Sequence, residues 1–203
     1  MPVTFEGFGT DIEKYKAAFG QAKTIVGKAY ASAESIRRNA KMNGEAFANA
    51  RKAYTRFWGG NDSDEVARQL RYLKNALFND LTIKFDATDK TAKAYIFDDD
   101  VAKVIGGDYT AEMYFCPPLL NNYAALGTNS AAGTIVHELS HLVLRTEDHK
   151  YGMKSVTEIS DQQKLTNADN FKYYCELFQL VNLSNLPVLS DAYDLSHVAP
   201  KKK

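Results

Sequence analysis

Cysteine is scarce in this 203-residue chain, where Cys116 and Cys175 are the only two. Two thiols allow at most one bridge, which excludes a disulfide framework as the source of stability. Histidine is almost as rare, with four, and tryptophan occurs once. No apolar run approaches the roughly 20 residues that a membrane-spanning helix needs. The N-terminal stretch Met-Pro-Val-Thr-Phe-Glu-Gly-Phe-Gly lacks the basic-then-apolar pattern of an export signal. A charge excess is missing too, because 25 basic residues stand against 25 acidic ones. Bulk charge therefore supplies no attraction to nucleic acid or to an anionic membrane, and partners must be read from a site.

What is present is an ordinary globular composition, 45% hydrophobic and 25% charged, in a length that suits one packed domain. The expectation is a single domain over residues 1–203, with its core at about 10–181 and a partly ordered tail at 182–203. Thr10-Asp-Ile-Glu13 reads as a capping box. The apolar stripe Ile12, Tyr15, Phe19, Ala22, Val26, Ala29, Ala33 and Ile36 predicts a long helix to about Arg38. Asn43-Gly44 breaks it, and Phe47, Ala50, Tyr54 and Phe57 predict a second helix ending at Trp58-Gly59-Gly60. Asn61-Asp-Ser-Asp64 offers caps for a third, which carries Val66, Leu70, Leu73 and Leu77.

The period then changes to alternation. Leu81–Phe85, Ala92–Phe97 and Ala111–Cys116 predict a small, mostly antiparallel sheet. Asp98-Asp-Asp100 lacks the glycine and distal glutamate of an EF-hand loop and reads as a solvated turn. Pro117-Pro118 stops the third strand, and Thr128-Asn-Ser130 can cap the helix that follows a loop. A last helix is expected from Asn167–Asn170 through Phe171, Tyr174, Leu177, Phe178 and Val181. The fold class is thus α+β, with helices at both ends of the chain around a small sheet.

The chemistry concentrates between Gly133 and Gly152. His137 and His141 are four residues apart, so on a helix both rings share one face and can bind one ion. Glu138 follows the first histidine. In this His-Glu-x-x-His arrangement two imidazoles hold Zn²⁺ and the carboxylate takes a proton from an activated water. Ile135, Val136, Leu139, Leu142, Val143 and Leu144 place that carboxylate in an apolar setting.

Catalytic zinc takes three protein ligands and leaves one position open, so a third donor is needed. Asp148 would lie about 10 Å further along a continuous helix. It can ligate only if the chain leaves the helix near Arg145-Thr146 and folds back. Glu158, in Thr157-Glu-Ile-Ser-Asp161, is the rival, in a pattern similar to the second helix of gluzincins. His149 reads as a surface residue and His197 as part of the tail, and the metzincin spacing is absent.

Three stretches together resemble the conserved blocks of the deuterolysin family of aspzincin metallopeptidases, in particular its peptidyl-Lys metalloendopeptidase branch. They are Ala132-Gly-Thr-Ile-Val-His-Glu-Leu-Ser-His141, Thr146-Glu-Asp148 with Tyr151-Gly152, and Asn167-Ala-Asp-Asn170 with Tyr173, in the family's order. Tyr54-Thr-Arg-Phe-Trp-Gly59 and Met113-Tyr-Phe-Cys116 are weaker echoes, and the similarity spans residues 10–181. The resemblance implies a zincin-like fold in which His137, His141 and Asp148 bind zinc, Glu138 is the general base and Tyr151 donates to the oxyanion.

The chain departs from the family in having Arg145-Thr146 and a shorter turn before Asp148. In lysine-specific members two acids line the pocket for the residue after the scissile bond. Asp169 matches the first, but Lys172 stands in place of the second, so strict lysine specificity is not expected. Asp169 could equally cap the last helix. The family's secreted fungal members carry disulfides; Cys116 matches one such position without the usual partner, so two free buried thiols are expected.

The function implied is a zinc endopeptidase acting on protein or peptide substrates, secreted and monomeric. Nucleic acid and membrane are not among its expected partners, whereas an inhibitor or immunity protein would suit a toxin. Two alternatives belong to other classes. One is a leaderless effector delivered to another cell to cleave one target protein; the other is a non-catalytic zinc-binding module on the same fold.

Overall fold

The computed structural model describes residues 3–38, 45–79, 81–105, 111–122 and 130–178. The chain enters through a short strand, β1 (Thr4–Glu6), and then α1 (Ile12–Arg37), whose predicted stripe from Tyr15 to Ile36 is buried. Asp11, not Thr10, is the N-cap, and no side chain caps the helix; the Asp11 carboxylate pairs instead with Lys14 Nζ at 2.7 Å. The expected capping box therefore does not form. The second and third helices, α2 (Glu45–Trp58) and α3 (Ser63–Ala76), follow as their patterns predict, and the Asp62 side chain accepts from Asp64 N at 2.9 Å to cap α3. The break expected at Asn43-Gly44 lies outside the described residues.

The sheet contains β1, β2 (Thr82–Phe85), β3 (Ala94–Tyr95) and β4 (Glu112–Phe115) in the order β1-β2-β4-β3. It is mixed rather than mostly antiparallel: β1 with β2 and β2 with β4 are parallel, and only β3 runs against β4. Two features hidden from the alternation account for this. The three-residue β1 is too short to show a period, and β3 runs back along the sheet so that β4, reached through α4 (Asp98–Ile105), lies parallel to β2. The expected solvated turn at Asp98–Asp100 is thus the first turn of a helix. Three carboxylates there suit the positive end of the helix dipole, and buried Asp100 also accepts from the amide of Glu112 at 3.3 Å.

Ile83, Met113 and Phe115 point from the sheet into the core that α1 shares, where Phe8, Tyr15, Phe85 and Phe115 form an aromatic cluster. A short 3-10 turn, Pro117–Asn122, follows β4. Then comes α5 (Ala131–Leu144), wrapped by α1, α3, α4 and the last described helix, α8 (Ala168–Glu176). Between them lie two four-residue helices, α6 (Ser155–Glu158) and α7 (Asp161–Lys164). The result is the expected α+β class. Cys116 and Cys175 are both buried and unbridged. Val181 and the tail at 182–203 lie outside the described residues.

Candidate active site

The helix α5 presents its chemistry because its sequence makes it a core helix first. Ile135, Val136, Leu139 and Leu142 are buried, which turns the opposite stripe, His137, Glu138 and His141, toward the segment that follows the helix. Ser130 caps the helix, its Oγ accepting from Gly133 N at 3.0 Å. That hydroxyl and the Ser130 amide both donate to Glu176 Oε1, at 2.6 and 2.9 Å, across the α5–α8 interface. Gly133 is required at this crossing, because a Cβ there would lie 1.9 Å from Glu176 Oε1.

The helix stops at Arg145, which adopts the left-handed conformation (φ 56°, ψ 39°) and returns its amide to His141 O. The chain then folds back as the Asp148 hypothesis required. Glu147 bridges Asn167 in parallel register, with Glu147 N donating to Thr166 O at 2.7 Å and Ala168 N to Glu147 O at 3.0 Å. The Asn167 side chain grips Lys150 by both backbone groups, accepting from its N and donating to its O, each at 3.1 Å. Asn167 is the N-cap residue of α8, so Asp169 is not.

This fold-back brings His137 Nε2, His141 Nε2 and Asp148 Oδ1 together at 3.1 Å between the rings and 3.2 and 3.4 Å from the rings to the carboxylate. A tetrahedral ion with bonds of about 2.0–2.1 Å sets its ligand atoms roughly 3.3 Å apart. The donor set therefore fits zinc without rearrangement. Among the described residues no other group of three His, Cys, Asp or Glu side chains converges in this way. Glu158 is exposed at the end of α6 and outside the cluster, and His149 bonds Thr166 Oγ1 at 2.9 Å instead. His197 lies outside the described residues.

The outer edge of each ring is held as well. His137 Nδ1–H donates to Asp169 Oδ1 at 2.8 Å, and His141 Nδ1–H to Thr146 O at 2.6 Å, which leaves both Nε2 atoms facing inward. Ser140 Oγ and Thr146 Oγ1 bond each other at 2.7 Å beneath this turn. Sequence reasoning missed Thr146 as a support because its backbone carbonyl does the work, and no residue type announces that. Asn167 was legible as the start of the last helix, but its grip on Lys150 across the fold-back was not.

Electrostatics follow from this crowding. Burial opposes a charge on His137, but its bonds to Asp148 and Asp169 prevail and push it up to about 10. For Asp148 burial acts upward, yet hydrogen bonds from His137 and His141 hold the carboxyl well below its usual range. Burial pushes Glu138 up, opposed by the nearby imidazoles. Tyr151, whose ring stacks on His137 at 6.2 Å and 18°, is raised by burial and by its bond to Asp148. Asp169 and Lys172 are both buried on α8, with Nζ 3.5 Å from Oδ1.

The profile of a family described as lysine-specific metallo-endopeptidase, the aspzincins, matches residues 43–176. The chain belongs to this family. Among aspzincin relatives and other similar proteins, an extracellular protease of Aeromonas hydrophila is 32% identical over 132 residues, 61% of this chain and 35% of that protein. A peptidyl-Lys metalloendopeptidase of Grifola frondosa is 27% identical over 183 residues, 86% of this chain and 47% of that one. The chain thus spans a third to a half of the length of these two relatives. A zinc peptidase structure from Grifola frondosa shares the fold, with a TM-score of 0.61 at 20% identity, covering 83% of this chain and 96% of the other.

Proposed function

We propose that this aspzincin is a zinc-dependent endopeptidase in which His137, His141 and Asp148 are the zinc ligands, Glu138 the general base and Tyr151 the oxyanion donor. The observation that carries the reading is the convergence of two Nε2 atoms and one carboxylate oxygen at tetrahedral spacing, with Glu138 beside the first ligand. Bound there, zinc would lower the pKa of a water to about 7 and polarise the scissile carbonyl.

Glu138 accepts the proton of the attacking water and delivers it to the leaving amine. Its half-buried, apolar seat raises its proton affinity toward the level that such a shuttle needs. The Tyr151 phenol, 39% exposed as a residue, offers a hydrogen bond where negative charge develops on the carbonyl oxygen. The substrate is a protein or peptide. Secretion accords with the name of the Aeromonas relative, an extracellular protease. A strict requirement for lysine after the cleaved bond is not expected, because Lys172 already neutralises Asp169 from within.

Zinc content and casein cleavage test this reading, with wild type compared to Glu138→Gln. One zinc per chain and a loss of about 100- to 10,000-fold in kcat for the variant, with zinc retained, are expected. A wild type that takes up no zinc, or a fully active variant, overturns it. Cleavage of a peptide library then reads the side-chain preference, and a strict requirement for lysine would refute the role given to Lys172.

A further inference from the structure

The geometry points to Asp169 as a positioning residue that holds two working parts of the site with one carboxylate, a role that rests on the zinc endopeptidase reading. Oδ1 accepts from His137 Nδ1 at 2.8 Å, and Oδ2 accepts from the backbone amide of Gly152 at 3.1 Å. The first bond fixes the ring so that Nε2 presents its lone pair inward. The second fixes the peptide plane directly after Tyr151, from which the phenol projects. Gly152 has φ +89°, so this amide reaches Asp169 through a backbone turn that side-chain-bearing residues rarely adopt.

The carboxylate is suited to nothing outside the protein. Asp169 is 2% exposed, and Lys172 Nζ lies 3.5 Å from Oδ1 on the same helix. Besides Lys172, its partners are two N–H donors on different elements, each taking a different oxygen. An aspartate can serve both; an asparagine, with one acceptor oxygen and a donating amide, can serve only one. The His137 ring, bonded at its Nδ1 edge to Asp169 and stacked against Tyr151, is thereby kept in register with the phenol. Asp169 thus couples the orientation of a zinc ligand to that of the oxyanion donor without touching substrate.

The test combines a variant with a measurement on the wild type. For Asp169→Asn, zinc affinity from chelator competition is expected to fall about 10- to 100-fold. The kcat of the zinc-saturated variant should drop with little change in KM. In the zinc-loaded wild type, ¹⁵N spectra of the histidines should show His137 Nδ1 as a protonated nitrogen carrying a strongly deshielded proton. Zinc affinity and kcat within threefold of wild type in the variant would overturn the proposal. So would an unprotonated His137 Nδ1 in the wild type, whether or not the variant folds. If the wild type binds zinc and cleaves but lacks that proton, only the Asp169 role fails. If it binds no zinc, the endopeptidase reading fails first.

Discussion

Asp148 and Glu158 are the residues on which the third-ligand question turned. Asp148 sits within 3.2 and 3.4 Å of the two ring nitrogens, whereas Glu158 is exposed at the end of α6. Asp148→Ala should abolish tight zinc binding and Glu158→Ala should leave it within twofold, read by metal content after dialysis. The same cluster sets a proton linkage. In the metal-free protein His137 is raised from its unfolded value of about 6.5 to about 10. Its contribution to metal-free stability is therefore complete below pH 6.5 and is lost as pH rises through 10. A proton held on His137 competes with a cation for Nε2 in the proposed site. Titration calorimetry at pH 7 in buffers of different ionisation enthalpy should show release of at least one proton per zinc. Apparent affinity should rise with pH up to about 10, and a pH-independent affinity would contradict the shift.

Among the elements, α5 and α8 form the mechanical unit. They run antiparallel and are pinned twice, by Asp169 to His137 at one end and by Glu176 to Ser130 at the other. Gly133→Ala should destabilise by about 1–3 kcal/mol, since the added Cβ meets a buried Glu176 whose displacement breaks its two bonds to Ser130. Denaturant titration of the metal-free protein measures this. The helices were legible in sequence because each carries a stripe of period 3.6, and the His137, Glu138 and His141 stripe stood out as the polar face of an apolar helix. Less was legible where length or context decided. β1 is too short for a period, α4 opens with three aspartates that look like a turn, and the cap of α1 moved by one residue from Thr10 to Asp11. At the site the side chains that converge were readable from residue type. Their supports were not, because the Thr146 carbonyl and the Gly152 amide belong to the backbone.

For the molecule as a whole, the family match at residues 43–176 leaves out β1 and α1, yet α1 packs directly against α3 and α5. The scaffold of the site therefore extends beyond the matched segment. The site itself is compact along the chain, because the fold-back after Arg145 draws the proposed ligand set from residues 137–148 alone. Closing so short a loop carries a small entropic cost even without the fold, so with this proposed ligand set a denatured chain should keep a fraction of the native zinc affinity. Metal bound to the unfolded ensemble offsets part of the stabilisation that the native affinity would otherwise confer. The rise in melting temperature with zinc should thus fall short of the value calculated from the native dissociation constant. A peptide of residues 133–152 should bind zinc weakly but measurably, so the ion can stay with the chain through unfolding and seed the turn at Arg145 during refolding.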